Sequence, residues 1–136
     1  MKTLKNYKKL FADFWGYHQN DIPICWGCYK AQAVDIHHLI PKGMGGVKDN
    51  RLNRIDNLFT LCRECHNKVH ADKSLNERYK KILMARFKSN RQEKIDFWIK
   101  CKTPVSLVKK QIDRLDKKYK EYGIDVWYLH NRFWAK

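Results

Sequence analysis

Asp35-Ile36-His37-His38-Leu39-Ile40-Pro41 and, after a glycine-rich interval, Leu58-Phe59-Thr60-Leu61-Cys62-Arg63-Glu64-Cys65-His66-Asn67-Lys68-Val69-His70 decide how this chain folds. Residues 33–40 are β-branched and apolar enough for a strand, and Pro41 stops it. Residues 58–61 read as a second short strand that enters the Cys62/Cys65 pair, and a helix should begin over residues 66–71. Upstream, Cys25-Trp26-Gly27-Cys28 repeats the CxxC spacing, with Gly27 placed to permit a tight turn. Two such pairs bracketing a central segment point to metal ligation rather than disulfides. Four thiolates at roughly 2.3 Å complete tetrahedral Zn²⁺ and leave no open position, so Cys25, Cys28, Cys62 and Cys65 read as a structural zinc site. Closing that site ties the ends of the central segment together and contributes directly to folding, because it does not exist in the unfolded chain.

With the cysteines assigned, four histidines remain between and beside them. His66 and His70 stand four apart on the expected helix, so their Cβ atoms lie roughly 5–6 Å apart on one face, a spacing that suits two ligands of one ion. His37 and His38 are adjacent on the expected strand, so their side chains diverge. One can join the helix histidines at a metal while the other stands beside it. Divergence matters because a ligand gives its lone pair to the metal, whereas a general base keeps its own for a proton. A neutral imidazole serves either purpose near its ordinary pKa of about 6.5. His18 and His130 lack such company and read as ordinary core or surface residues.

Outward from this centre the chain turns helical. Leu4, Tyr7, Leu10, Phe11, Phe14 and Trp15 fall at helical spacing, and Gly16 to Pro23 reads as a loop. Residues 42–54 carry three glycines and several basic side chains and form another loop. Leu75, Tyr79, Ile82, Leu83 and Phe87 make one helical stripe, and Ile95, Trp98 and Ile99 a second. Thr103 is placed to cap a further helix with Pro104 in its first turn. Val105, Val108, Ile112, Leu115, Tyr119 and Tyr122 then alternate three and four apart, and Gly123 ends the run. That stripe either packs back on residues 75–101 or pairs with a second copy. Residues 124–136, with Trp127, Tyr128, Phe133 and Trp134, are ambiguous between strand and helix.

The fold class expected is α+β, mainly helical: an N-terminal helical region over residues 1–24, a zinc-stapled core over 25–72, and a basic helical region over 73–136. In 136 residues, 29 Lys and Arg face 14 Asp and Glu, for a net charge of +15. Both halves would be drawn to a polyanion, and the 13% aromatic content argues for a folded basic surface rather than a disordered tail. No run of about 18 apolar residues suggests a membrane span. No apolar stretch follows the lysine-rich start, so no secretion signal is expected and a reducing cytoplasmic setting suits the thiols. Cys101 has no partner in sequence and reads as a simple core or surface thiol.

The set Asp35 to Pro41, Gly45-Gly46, Asp56-Asn57-Leu58 and Cys65 to His70 resembles the HNH, or ββα-metal, nuclease motif over roughly residues 25–71. The resemblance implies a two-stranded ribbon and a helix gripping one divalent ion, with the cysteine knuckles at its base. It implies His37 and His66 as metal ligands and His38 as the general base that activates water. His70 matches the additional ligand of colicin-type members. Asn57 matches the middle asparagine, bracing the loop and orienting His38 or joining the metal. Asn50 and Asn53 compete with it by residue type, but only Asn57 has the Asp-Asn-Leu context. Asp35 would share the strand face of His37 as an outer partner. The loop between His38 and Asn57 is longer than in colicin-type members.

As to activity, the resemblance implies a metal-dependent endonuclease hydrolysing DNA phosphodiesters to 5′-phosphate and 3′-hydroxyl ends, of the phage-type, homing or nicking kind. Mg²⁺ or Mn²⁺ would be the catalytic ion, with Zn²⁺ or Ni²⁺ also suited to three imidazoles. Lys42, Lys48, Arg51 and Arg54 are candidates for phosphate contacts. Two other readings stand beside it: a dimeric Holliday-junction resolvase resembling the endonuclease VII kind, and a catalytically inactive zinc-dependent DNA-binding module. The partner expected is DNA, with no membrane, and the chain is expected to be a monomer in free solution that pairs, if at all, on DNA. The location expected is the cytoplasm, at the nucleoid, or the host cytoplasm for a phage-encoded protein.

Overall fold

The computed structural model describes residues 6–18, 21, 23–40 and 52–125. Leu4, Lys42, Lys48, Arg51, His130 and the aromatic residues after position 125 lie outside them. Helix α1 (Tyr7–Trp15) is followed by β1 (Asp35–His38), a 3-10 turn (Ile55–Asn57), β2 (Leu58–Leu61) and α2 (Arg63–Ala71). Two further helices close the described chain, α3 (Leu75–Lys100) and α4 (Val105–Glu121). This is the mainly helical α+β arrangement expected, with one two-stranded sheet among the described residues.

The strands pair antiparallel, with Asp35 opposite Leu61, Ile36 opposite Thr60, His37 opposite Phe59 and His38 opposite Leu58. Every residue of β2 is buried, whereas β1 buries only His37 fully. The second knuckle is not a loop before a helix, as the spacing suggested, but the first turn of α2 itself. Cys62 is its N-cap, and the Cys62 sulfur accepts the Cys65 backbone N–H at 3.5 Å. That bond satisfies one of the donors that a helix start leaves unpaired.

Gly27 also acts differently from the expectation of a tight turn. It has no positive φ; within its knuckle the left-handed residue is Tyr29, at φ 58°. What position 27 requires is closeness. A Cβ there would stand 3.0 Å from Leu61 Cδ2, 3.1 Å from the Tyr79 hydroxyl and 3.3 Å from Cys65 Cβ. Only a residue without a side chain lets the first knuckle approach the second and α3 this far.

The two stripes expected over 75–99 lie on one uninterrupted helix. Its buried face runs Tyr79, Leu83, Phe87, Arg91, Ile95, one residue in every four. Arg91 breaks the apolar pattern in the sequence but not in space, because Asp116 of α4 receives it through Nε at 2.7 Å and Nη2 at 3.2 Å. Ile99, assigned to the second stripe, is instead 60% exposed. On α4, Pro104 rather than Thr103 takes the cap position. The α4 stripe is divided: Val105 is 86% exposed, whereas Leu115, Tyr119 and Tyr122 pack into the chain's own core. Asn90 donates to the Tyr119 hydroxyl at 2.7 Å. Gly123, at φ 83°, ends the helix, with Ile124 N–H bonded to Tyr119 O and Gly123 N–H to Lys120 O.

One hydrophobic core joins all these elements, and an aromatic cluster forms part of it. Trp26, fully buried in the first knuckle, meets Phe11 and Trp15 of α1 and Phe59 of β2 at ring separations of 5.2–5.3 Å. The Arg86 guanidinium of α3 covers the Trp26 ring at 4.1 Å and donates to the Tyr29 hydroxyl.

Candidate metal and nuclease site

The sulfurs of Cys25, Cys28, Cys62 and Cys65 all lie within 4.8 Å of one another, the one such set of three or more ligand groups among the described residues. Bonds of about 2.3 Å to a tetrahedral ion place sulfurs about 3.8 Å apart, so the set can hold zinc. Cys25 N–H bonds to Ala31 O and Trp26 N–H to Thr60 O, which pins the first knuckle to both its own turn and β2. Backbone N–H groups of Ala31, then Lys30, lower the Cys28 thiol to about 6, whereas burial pushes Cys65 up. Cys101 is exposed.

The adjacent histidines part as their alternation on β1 requires. His37, 6% exposed, turns toward α2, with ring centres 5.0 Å from His66 and 6.0 Å from His70. His38 turns toward α1, where the Tyr7 ring meets it edge-on at 4.7 Å. On α2, the His66 and His70 Nε2 atoms are 3.1 Å apart. Two imidazole nitrogens sharing an ion at about 2.0–2.1 Å stand roughly 3.0–3.4 Å apart, so the pair fits one divalent ion, with His37 facing it from outside that spacing. His66 Nδ1–H donates to Asp35 Oδ2 at 2.9 Å, which leaves its Nε2 as the lone pair. Arg63 also reaches that carboxylate oxygen, at 3.3 Å. Burial first, and then the neighbouring imidazoles, lower the His37 pKa against the opposing bond to Asn76, which favours a neutral ring. These side chains line an open cleft of about 370 Å³ whose near wall is Tyr7 and Lys8 of α1.

The asparagines divide their tasks. Asn57, 5% exposed, accepts Ile40 N–H at 2.8 Å and donates to Leu52 O at 2.9 Å and Ile40 O at 3.3 Å. Its amide thus clamps the two ends of the loop after β1. The side chain that reaches His38 is Asn53, whose Oδ1 accepts His38 Nε2–H at 2.8 Å. Position 53 competes with 57 by type alone, so spacing did not single it out. Asn76 of α3 reaches His37, and nothing local in the sequence marks it. Tyr7 and Lys8 were likewise legible only as parts of a helix. Among the basic candidates, Arg54 is described, and its guanidinium pairs with Asp56.

The histidines of the cleft and the cysteine set lie within one stretch of the chain. Residues 23–72 match the HNH endonuclease family. That HNH segment contains every cysteine and histidine of the two sets, whereas α1, α3 and α4 lie outside it. A stretch of 47 residues is 40% identical to Anaredoxin of Nostoc sp., covering 34% of this chain and 55% of that protein. The chain therefore spans about half the length of that relative. No solved structure matches it. No helix among the described residues is long and apolar enough to cross a membrane.

Proposed function

We propose that the chain is a metal-dependent HNH endonuclease that hydrolyses DNA phosphodiester bonds to 5′-phosphate and 3′-hydroxyl ends. The observation that carries this reading is the division of His37 from His38: one ring faces His66 and His70, and its neighbour is held on the other side by Asn53. His37, His66 and His70 would hold the ion, with Asp35 anchoring His66, while His38 acts as the base. Held by Asn53, His38 would accept the proton of an attacking water. General-base help of this kind typically gives about 10²–10⁴-fold in rate. A divalent ion held there, Mg²⁺ or Mn²⁺ by preference and Zn²⁺ or Ni²⁺ by ligand type, would supply Lewis acidity toward the phosphodiester.

The net charge of +15 supports a nucleic-acid partner. Lys8, at the mouth of the histidine cleft, joins Lys42, Lys48, Arg51 and Arg54 as a candidate phosphate contact. A phage-type, homing or nicking role in the cytoplasm suits a chain that works as a monomer. Cleavage of linear, supercoiled, single-stranded and branched DNA by wild type and His38→Ala tests the reading. The variant should lose at least about 10²-fold in rate while zinc content and DNA affinity stay as in wild type. Wild-type-like cutting by the variant would remove the assignment.

A further inference from the structure

His37 Nε2 lies 2.9 Å from Oδ1 of Asn76, a residue in the first turn of α3 and outside the matched segment. An amide oxygen can only accept, so in this arrangement Nε2 carries the proton and the lone pair of His37 lies on Nδ1. His37 is 6% exposed and Asn76 half-buried, so the bond is partly sheltered from competing solvent. The turn that delivers Asn76 is itself braced. Asp72 Oδ1 accepts both the backbone N–H and the hydroxyl of Ser74, at 3.1 and 2.6 Å, and Asn76 N–H returns to Lys73 O.

A neutral imidazole has two tautomers, and only the nitrogen without the proton can take an ion. We propose that Asn76 is a positioning residue that sets the tautomer and ring orientation of His37, so that α3 completes the ion site. The proposal rests on the reading of His37 as a ligand, and it makes the site larger than residues 23–72. His66 is anchored from within the segment by Asp35 through Nδ1, His37 from outside it by Asn76 through Nε2.

The test uses the full chain with zinc in the cysteine site. Imidazole ¹⁵N spectra of the protein without added catalytic ion should show His37 protonated at Nε2. Calorimetric titration with Ni²⁺ and with Mn²⁺ should show Asn76→Leu, which keeps the volume but loses the acceptor, binding about 10–100-fold more weakly. Zinc content should not change. Asn76→Asp, a pure acceptor, should restore affinity to wild-type level or better. A His37 ring protonated at Nδ1, or Ni²⁺ affinity within twofold of wild type in Asn76→Leu, overturns the proposal. The two readings fail separately. A wild type that cuts no nucleic acid yet shows Asn76-dependent Ni²⁺ binding sinks the nuclease and keeps the positioning role. A wild type that cuts DNA with ion affinity indifferent to Asn76 does the reverse.

Discussion

Asp35 on β1 and His66 on α2, 31 residues apart, meet through Oδ2 and Nδ1–H at 2.9 Å. The strand thereby aims a helix side chain at its neighbour His70. Asp35→Ala should cost about 10–100-fold in catalytic-ion affinity, with excess Mn²⁺ recovering much of the cleavage rate. Asp35→Asn, which still accepts through its amide oxygen, should fall between the two. Ion binding by Asp35→Ala equal to wild type would refute the anchoring role.

Chelation of the cysteine-bound ion, or Cys62→Ser, should remove one tightly held zinc and unfold the knuckles together with the helices packed on them. Elemental analysis alongside circular dichroism reads both changes. A Cys62→Ser protein that keeps its zinc and its helical signal would show that the staple is wrongly assigned.

Gly27→Ala should destabilise the protein by about 1–3 kcal/mol, because the added methyl overlaps Leu61 and Tyr79. Zinc should also exchange faster, since Cys65 Cβ is the third atom in its way. Denaturant unfolding and a zinc-release assay measure the two effects. An unchanged midpoint would mean that the knuckles do not approach each other as closely as described.

Burial raises the Tyr119 phenol to about 12, despite the opposing hydrogen bond from Asn90. The unfolded phenol titrates near 10, so the folded state favours the neutral form. A raised folded pKa gives stability that is fully present below about 10 and is lost as pH climbs through about 12. Tyr119→Phe should therefore lose about 1 kcal/mol near neutrality and decline less steeply in alkali. Equal alkaline slopes for the two proteins would rule Tyr119 out as the titrating group.

Sedimentation at micromolar concentration and moderate salt should find a monomer. The lower α4 stripe is already covered by its own chain, and a net charge of +15 opposes self-association. A stable dimer without DNA would favour the resolvase reading instead.

The ribbon, the knuckles and α2 were legible because their signals are local: CxxC spacing, β-branched runs and a four-residue histidine interval. The divergence of His37 and His38 followed from strand alternation alone. What escaped was non-local or disguised. Arg91 hid the continuity of α3 because its charge is met by Asp116, on another helix. Asn76 reaches His37 across 39 residues, from a helix beyond the end of the motif. Asn53 and Asn57 share one side chain, and only their backbone positions decide which meets His38 and which clamps the loop. Gly27 was recognised as special for its backbone freedom, when its lack of volume is what the fold uses.

The sealed indole of Trp26 bears on how such a segment can be moved between proteins. Phe11, Trp15 and Arg86 cover it, and all three belong to helices outside residues 23–72. A recombined chain that inherited only the matched residues would keep Phe59 beside that indole but expose its other faces to water at the foot of the zinc site. Inheritance of this unit therefore runs with its flanks: a working graft must carry α1 and α3, or invent new cover for one ring.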